Sequence, residues 1–450
     1  MKIFFLALLT LSSCFAHEGL SLENAIAKVK ANNQEIAIAK FDEHIKTLEH
    51  QAAVGQNYGS VDLSQVAVRS NDALNIFGYK LQSRQATFAD FGFADFVKNP
   101  SDPNVLKIMP NDLNNPADRN HFQTKIEYTL PLYTGGKLEQ YGKITKALQE
   151  MSTLDLEALT LEKIYELKKS FFAISLLDNH LYNLHIIATN TEKLAATTEA
   201  MMQEGYVKKV DLLEVQSKQA DVERLIHQAE ANRTLLYYFI SYLVGESVTA
   251  IQGKYEEAET LLSSDERVLN DNLAIKKAAQ GVEISKMNIA LQESTFLPQV
   301  GAFANYGSSD EKLMNDFSKN DAYTVGLQVK WNVFNGGTDK NSLEKARVEH
   351  LKASQQLQLA KNSIALSFKQ IQTHIQSHEY EIQSLKKEVE LAHLIYENYA
   401  GRYAEKMSSI NEVLMKQSEE LTKVLRLKEV QNARNEKIFE LQKLASKEIQ

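Results

Sequence analysis

Few side chains in this sequence are spaced for chemistry. His374 and His378 stand one helical turn apart and are followed by Glu379, a spacing that could present metal ligands on one helix face. No third ligand lies nearby in the sequence, so the expectation is exposed helix positions, with no metal and no cofactor. There is no HExxH pair, no phosphate-binding glycine loop and no GxSxG elbow. No catalytic constellation emerges, and an enzyme is not expected. The one cysteine, Cys14, excludes a disulfide framework and a cysteine-based zinc site. The 50 basic and 58 acidic residues give a net charge of −8, which leaves no basic footprint for nucleic acid. A mean hydropathy of −0.33 excludes a polytopic helical membrane protein.

The elements that would position any site are marked by proline and glycine. In a chain of 450 residues there are six prolines, none between 132 and 297 and none after 298. Lys143 to Glu204 (62 residues) and Thr338 to Ala400 (63 residues) contain neither glycine nor proline. Both are rich in strong helix formers. As single helices each would be roughly 90 Å long, and would need a partner along that length. Ala147, Met151, Leu154, Ala158, Leu161 and Tyr165 form a heptad stripe. So do Leu343, Ala346, His350, Ala353, Leu357, Ala360 and Ile364. Additional apolar positions beside the first stripe (Leu148, Leu156, Leu159, Ile164) predict neighbours on two sides. An ordinary coiled-coil rod would share this pattern.

The chain begins with Met1-Lys2, an apolar run from Ile3 to Leu11, and small residues to Ala16. This pattern predicts a secretory signal, 1–16, with cleavage after Ala16. Leu11-Ser12-Ser13-Cys14 also reads as a lipoprotein signal, with Cys14 acylated. No later apolar run is long enough for a membrane-spanning helix.

The remainder is duplicated. Tyr128-Thr-Leu-Pro-Leu-Tyr-Thr-Gly-Gly136 matches Val329-Lys-Trp-Asn-Val-Phe-Asn-Gly-Gly337 at an offset of 201. The same offset aligns Glu204–Lys218 with Glu405–Glu419, with Leu213/Leu414, Gln216/Gln417 and Ser217/Ser418 identical. The first repeat is 17–246: a helix, a strand pair 60–70/121–132, and long helices with a tip near 205–211. The second is 247–450: a helix, a strand pair 299–307/321–333, and long helices with a tip near 406–412. The join lies near 246–266.

Before each Gly-Gly pair the sequence alternates with period two. Phe122, Thr124, Ile126, Tyr128, Leu130 and Leu132 share one face, and Tyr323, Val325, Leu327, Val329, Trp331 and Val333 the other strand's equivalent. A transmembrane β-strand needs about 9–11 residues with apolar residues outward and polar residues inward. Tyr128, Tyr133, Trp331 and Phe334 would form an aromatic girdle at the membrane interface. Gly135, Gly136, Gly336 and Gly337 mark the strand-to-helix junctions. A half-buried sheet of a soluble domain alternates too. The first strand pair encloses a long loop, about 71–119, with the run Phe88-Ala-Asp-Phe-Gly-Phe-Ala-Asp-Phe96. That run is expected to pack on itself. Four strands cannot close a barrel, and open edges cannot face lipid, so the chain must oligomerise. Three copies of four strands would give 12 strands.

In the order and spacing of PLYTGG, NVFNGG and the two helix-turn-helix tips, nearly the whole mature chain resembles the TolC-type outer-membrane efflux proteins (outer membrane factors). The resemblance implies an α+β, mainly α fold. Each chain would give four strands and long coiled-coil helices to a trimeric 12-strand outer-membrane β-barrel continuous with a long periplasmic α-helical barrel. It implies a passive export duct of a tripartite efflux or type I secretion system in a Gram-negative outer membrane, extending into the periplasm. The implied partners are two further copies (a homotrimer), outer-membrane lipid, a periplasmic adaptor (membrane fusion) protein and an inner-membrane pump of RND or ABC type.

By the same resemblance the tips close the periplasmic end, with Asp211, Tyr403 and Glu412 at the gate. Glu412 would ring the constriction once per chain, and Met415 holds the place of a second acidic residue. A hydrogen bond from Tyr403 towards Asp211 would act as a latch, and Ser408 stands where relatives often have arginine. Gly205, Tyr206, Val207, Lys406 and Met407 would meet the adaptor. From the residues themselves, Asp211 with Glu214, and Ser409 with Glu412, read as helix capping boxes. The competing reading is a periplasmic coiled-coil adaptor or structural protein with a soluble β-domain.

Overall fold

The computed structural model describes residues 19–255, 257–259, 265–313, 315–405 and 407–446. The signal segment 1–16, Cys14 and Lys406 lie outside the described residues. The chain runs α1 (Leu22–Asn32), α2 (Gln34–Gly55), β1 (Ser60–Ser70), α3 (Ala73–Gln82), α4 (Phe93–Lys98), α5 (Asn111–Asn114), β2 (Arg119–Tyr133), α6 (Lys137–Gln203) and α7 (Lys209–Val244). It continues with α8 (Asp265–Asp271), α9 (Leu273–Glu293), β3 (Gln299–Asp310), β4 (Asp321–Lys330), α10 (Thr338–Ala404) and α11 (Ile410–Leu444).

The long helices α6 and α10 have 67 residues each, about 100 Å at 1.5 Å per residue. Their starts and ends differ by the same 201 positions as the sequence repeat. The long connections are unequal. Residues 71–118 lie between β1 and β2, whereas only 311–320 lie between β3 and β4.

Two compact units cut across the repeats, each drawing on both. The first holds the described parts of Met1–His44, Glu150–Gly281 and Ser354–Gln450. Its core is three apolar clusters. Ala25, Val29 and Ile36 pack with Leu167, Phe171, Ile174, Ile240 and Leu243. Phe172 joins Phe368, Ile371, Ile375, Ile438 and Phe439. Leu181, Leu184 and Ile187 meet Val222, Ile226 and Ala229. Adjacent Phe171 and Phe172 enter different clusters because neighbouring helical side chains diverge by about 100°. That is why the apolar positions of α6 exceed a single heptad stripe.

The second unit, Ile45–Gln149 and Val282–Ala353, contains an antiparallel sheet of order β1-β2-β3-β4. Register fixes its faces, since directly paired residues point the same way. Val61 pairs with Tyr128, Tyr128 with Ala304, and Ala304 with Val325. The next row is Leu63, Ile126, Tyr306 and Tyr323. This face is apolar yet open to solvent in the single chain: Leu63 is 76% exposed, Val325 72% and Leu327 70%. The opposite face carries Asp62, Glu127, Asn305 and Thr324 in one row. Among the described residues no strand pairs with the outer edges of β1 and β4.

The alternation through Val333 had suggested a longer last strand. β4 instead stops at Lys330. Just beyond it the Trp331 indole Nε1–H donates to the Phe296 carbonyl at 3.0 Å.

Candidate functional site

At the strand-to-helix junctions Gly135, Gly136, Gly336 and Gly337 all have positive φ. Gly135 is the most constrained. At φ +67° a Cβ there would stand 2.7 Å from the Ser294 carbonyl oxygen and 2.9 Å from Leu297 Cβ. Tyr133, Trp331 and Phe334 cluster in sequence at these junctions, 46%, 60% and 82% exposed. Tyr128 lies five residues further into β2, and its hydroxyl donates to the Tyr58 carbonyl at 2.9 Å.

The helix tips follow the 201-residue offset down to individual hydrogen bonds. After α6, Tyr206 N–H donates to Met201 O at 2.8 Å. After α10, Met407 N–H donates to Arg402 O at 2.8 Å. Gly205 adopts φ +75°, the left-handed conformation that ends the first helix.

The helices that follow start differently. Ser409 caps α11: its hydroxyl accepts from Glu412 N–H at 3.3 Å, and the Glu412 carboxylate accepts from Ser409 N–H at 2.8 Å. The same carboxylate accepts from Ser408 Oγ at 2.9 Å, so Ser408 supports this cap. The backbone N–H of Ser409 and then the Ser408 hydroxyl hold the Glu412 carboxyl below the usual glutamate range. In α7 the cap is Lys208, so Asp211 is not the first residue of the box but its third helical position. Its carboxylate accepts from Lys208 N–H at 2.7 Å. An ammonium cannot accept a hydrogen bond, so only half of a reciprocal box exists here.

The latch geometry is not formed within one chain. The Tyr403 hydroxyl donates to Met201 Sδ at 3.5 Å, and Asp211 is engaged by its own helix start. Burial pushes the Tyr403 phenol up. The fold nevertheless brings both tips to one cleft of about 470 Å³. Asp211, Tyr403, Tyr206 and Val207 line it, together with Met201 and Ile410. Glu412 and Gly205 stand outside that lining, while Tyr206 and Met407 are exposed, at 77% and 64%. Sequence reasoning passed over Met201 and Ile410. Only the pairing of the two tips brings them together, and no motif marks them.

Among the described residues no group of three His, Cys, Asp or Glu side chains is placed to hold a metal. Glu379 is held by Arg434 at 3.1 Å, and His378 Nδ1 lies 3.7 Å from Glu381.

Residues 266–446 match the family described as outer membrane efflux protein. No curated protein matches the chain. Among solved structures, CusC superposes with a TM-score of 0.78 at 12% identity, over 94% of this chain and 91% of CusC. The CmeC outer membrane channel of Campylobacter jejuni gives 0.78 at 12% identity, over 94% of this chain and 85% of CmeC. The outer membrane protein VceC of Vibrio cholerae gives 0.76 at 15% identity, over 94% and 96%. These identities speak for the fold. Beside that likeness of fold, the sequence match to the family described as outer membrane efflux protein covers residues 266–446.

Proposed function

We propose that this chain is the outer-membrane channel of an efflux or type I secretion assembly, a passive duct whose driving free energy comes from elsewhere. The observation that carries this is the sheet: one face apolar and open, the other polar, and both edges unpaired among the described residues. A soluble sheet would leave Leu63, Val325, Leu327 and Val329 in water, at about 25 cal/mol per Å² of apolar surface. Lipid removes that cost on one face, and water fills the other. Open edges in lipid would leave N–H and C=O groups unsatisfied. Copies of the chain therefore close the sheet edge to edge, and three copies make the 12-strand barrel.

The helices give the same message. Leu359, Leu366 and Tyr380 of α10 are 60–66% exposed and follow heptad spacing. Ile38, Phe41, Ile45 and Leu48 form a similar bare stripe on α2. Neighbouring copies would cover such stripes. In this reading the tips form the periplasmic gate, with one Glu412 per chain. A periplasmic adaptor meets the exposed Tyr206 and Met407, and an inner-membrane pump supplies cargo.

The test is purification from the outer-membrane fraction in detergent, followed by bilayer recording. A trimer that conducts is the expected outcome, and a monomer soluble without detergent overturns the proposal. Glu412→Ala should lower cation preference. An unchanged reversal potential would remove Glu412 from the gate.

A further inference from the structure

The 71–118 connection is much longer than its counterpart 311–320, although the rest of the two repeats stays in register. Its first helix, α3, is anchored to the sheet. The Tyr79 ring stacks on His121, centroids 3.9 Å apart, and His121 is 3% exposed. Arg119 Nη2 donates to Ser83 Oγ at 3.2 Å and also binds Gln85. His121 and Arg119 alternate with Phe122, so both belong to the polar face, with Glu127 and Lys125. Gln85 Nε2 then reaches Asp310 Oδ1 at 3.2 Å, at the end of β3. The Arg84 guanidinium donates to the Lys319 carbonyl at 3.0 Å and the Asp321 carbonyl at 2.6 Å, beside β4. One helix end thus ties β2, β3 and β4 together across the sheet.

The next turn of the segment, Thr87–Phe91, is braced on α3. Lys80 pairs with Asp90, whose carboxylate also accepts from Thr87 N–H at 2.7 Å. Phe77 meets Phe91 edge-on at 5.2 Å. Ile76 and Ser83 are buried at 2% and 0% exposure. Buried packing and side-chain bonds of this kind fix residues 73–91 against the sheet, unlike a solvated loop.

We propose that residues 71–118 form a fixed cap on the water-facing side of the barrel's outer end, narrowing the exit and setting an upper size for what passes. This rests on the channel reading above, because it takes the polar face to be the lumen. The His121 and Arg119 tethers lie on the polar face and put the cap's bulk inside the mouth, while Asp310, opposite Phe122, and the Lys319 and Asp321 carbonyls hold the cap at the strand ends. The apolar face would have put it in lipid.

The test uses intact cells and a reporter cysteine deeper on the polar face, Thr324→Cys, with Val325→Cys on the apolar face as control. A small maleimide should label Thr324→Cys, and a bulky polyethylene-glycol maleimide added outside should not. Replacing 73–116 by a short glycine-serine linker should let the bulky reagent in. Arg84→Ala with Arg119→Ala, which keeps the chain length, should speed its labelling at least about tenfold, since several charge-assisted hydrogen bonds are lost. Equal labelling by both reagents with the cap intact would overturn the cap and leave the channel standing. So would bulky-reagent labelling that neither variant changes. Failure of even the small reagent on all Thr324→Cys forms would overturn the channel reading, and the cap with it.

Discussion

The two helix tips share a backbone and differ in chemistry. Lys208 has φ −91° and ψ 159°, and Ser409 has φ −84° and ψ 156°. Both backbones are extended in the way an N-cap requires. Both place an acid three residues on, and both are preceded by the same reverse hydrogen bond one turn back. Yet only Ser409 has a side-chain acceptor for the first turn of its helix. The two turns share one geometry, while the side-chain capping hydrogen bond is present in the second alone. The first tip therefore holds its shape through Gly205, and the second through Ser408, Ser409 and Glu412. In a duct closed at this end, the less tightly capped tip is the one expected to open first.

That contrast can be broken by substitution. The largest effect is expected from Gly205→Val. The site has open space around it, so the cost is the left-handed backbone itself, about 1–2 kcal/mol. Hydrogen exchange of the assembled protein should show lost protection around residues 201–209 and none around 402–410. Ser409→Ala comes next, at about 1 kcal/mol for the lost cap. It should fray the second tip until its exchange matches the first. If the second tip stays protected, its order does not come from the cap.

Lys208→Ser sharpens the comparison from the other side. It supplies the missing acceptor on a backbone already shaped for it and should gain about 0.5–1 kcal/mol. Increased protection of the first turn of α7 is the readout.

The smallest effect is that of pH. The Glu412 carboxyl is held below its usual range by hydrogen bonds to its charged form. Its contribution is therefore complete above the ordinary glutamate range and is lost as pH falls through the lowered value. Protection at the second tip should drop on acidification, and Glu412→Gln should abolish that dependence. A dependence that persists in Glu412→Gln would assign it to another group.

Much of this protein could be read locally. The glycine-free runs, the period-two segments before Gly135 and Gly336, and the Ser409–Glu412 box each need only a few neighbouring residues to be recognised. Periodicity carries them, because a helix or a strand repeats its side-chain direction every few positions. Self-packing of the Phe88–Phe96 run was also legible. The rings do meet, Phe88 with Phe93 at 5.8 Å, although Phe88 remains 80% exposed. The cap of α7 was misread because a lysine gives no sequence sign of occupying that position.

What the sequence by itself determined is the set of elements, the 201-residue offset between its long helices, and strands with one apolar and one polar face. Tertiary structure alone decided that β4 ends at Lys330 and that Trp331 then bonds to Phe296. It also decided that Tyr403 meets Met201 and that α3 lies over His121 and Arg119. The physical reason is separation along the chain. Arg84 and Asp321 are 237 residues apart, and Tyr403 and Met201 are 202 apart. Contacts of that span follow from how the elements pack, and no local pattern of residues encodes them.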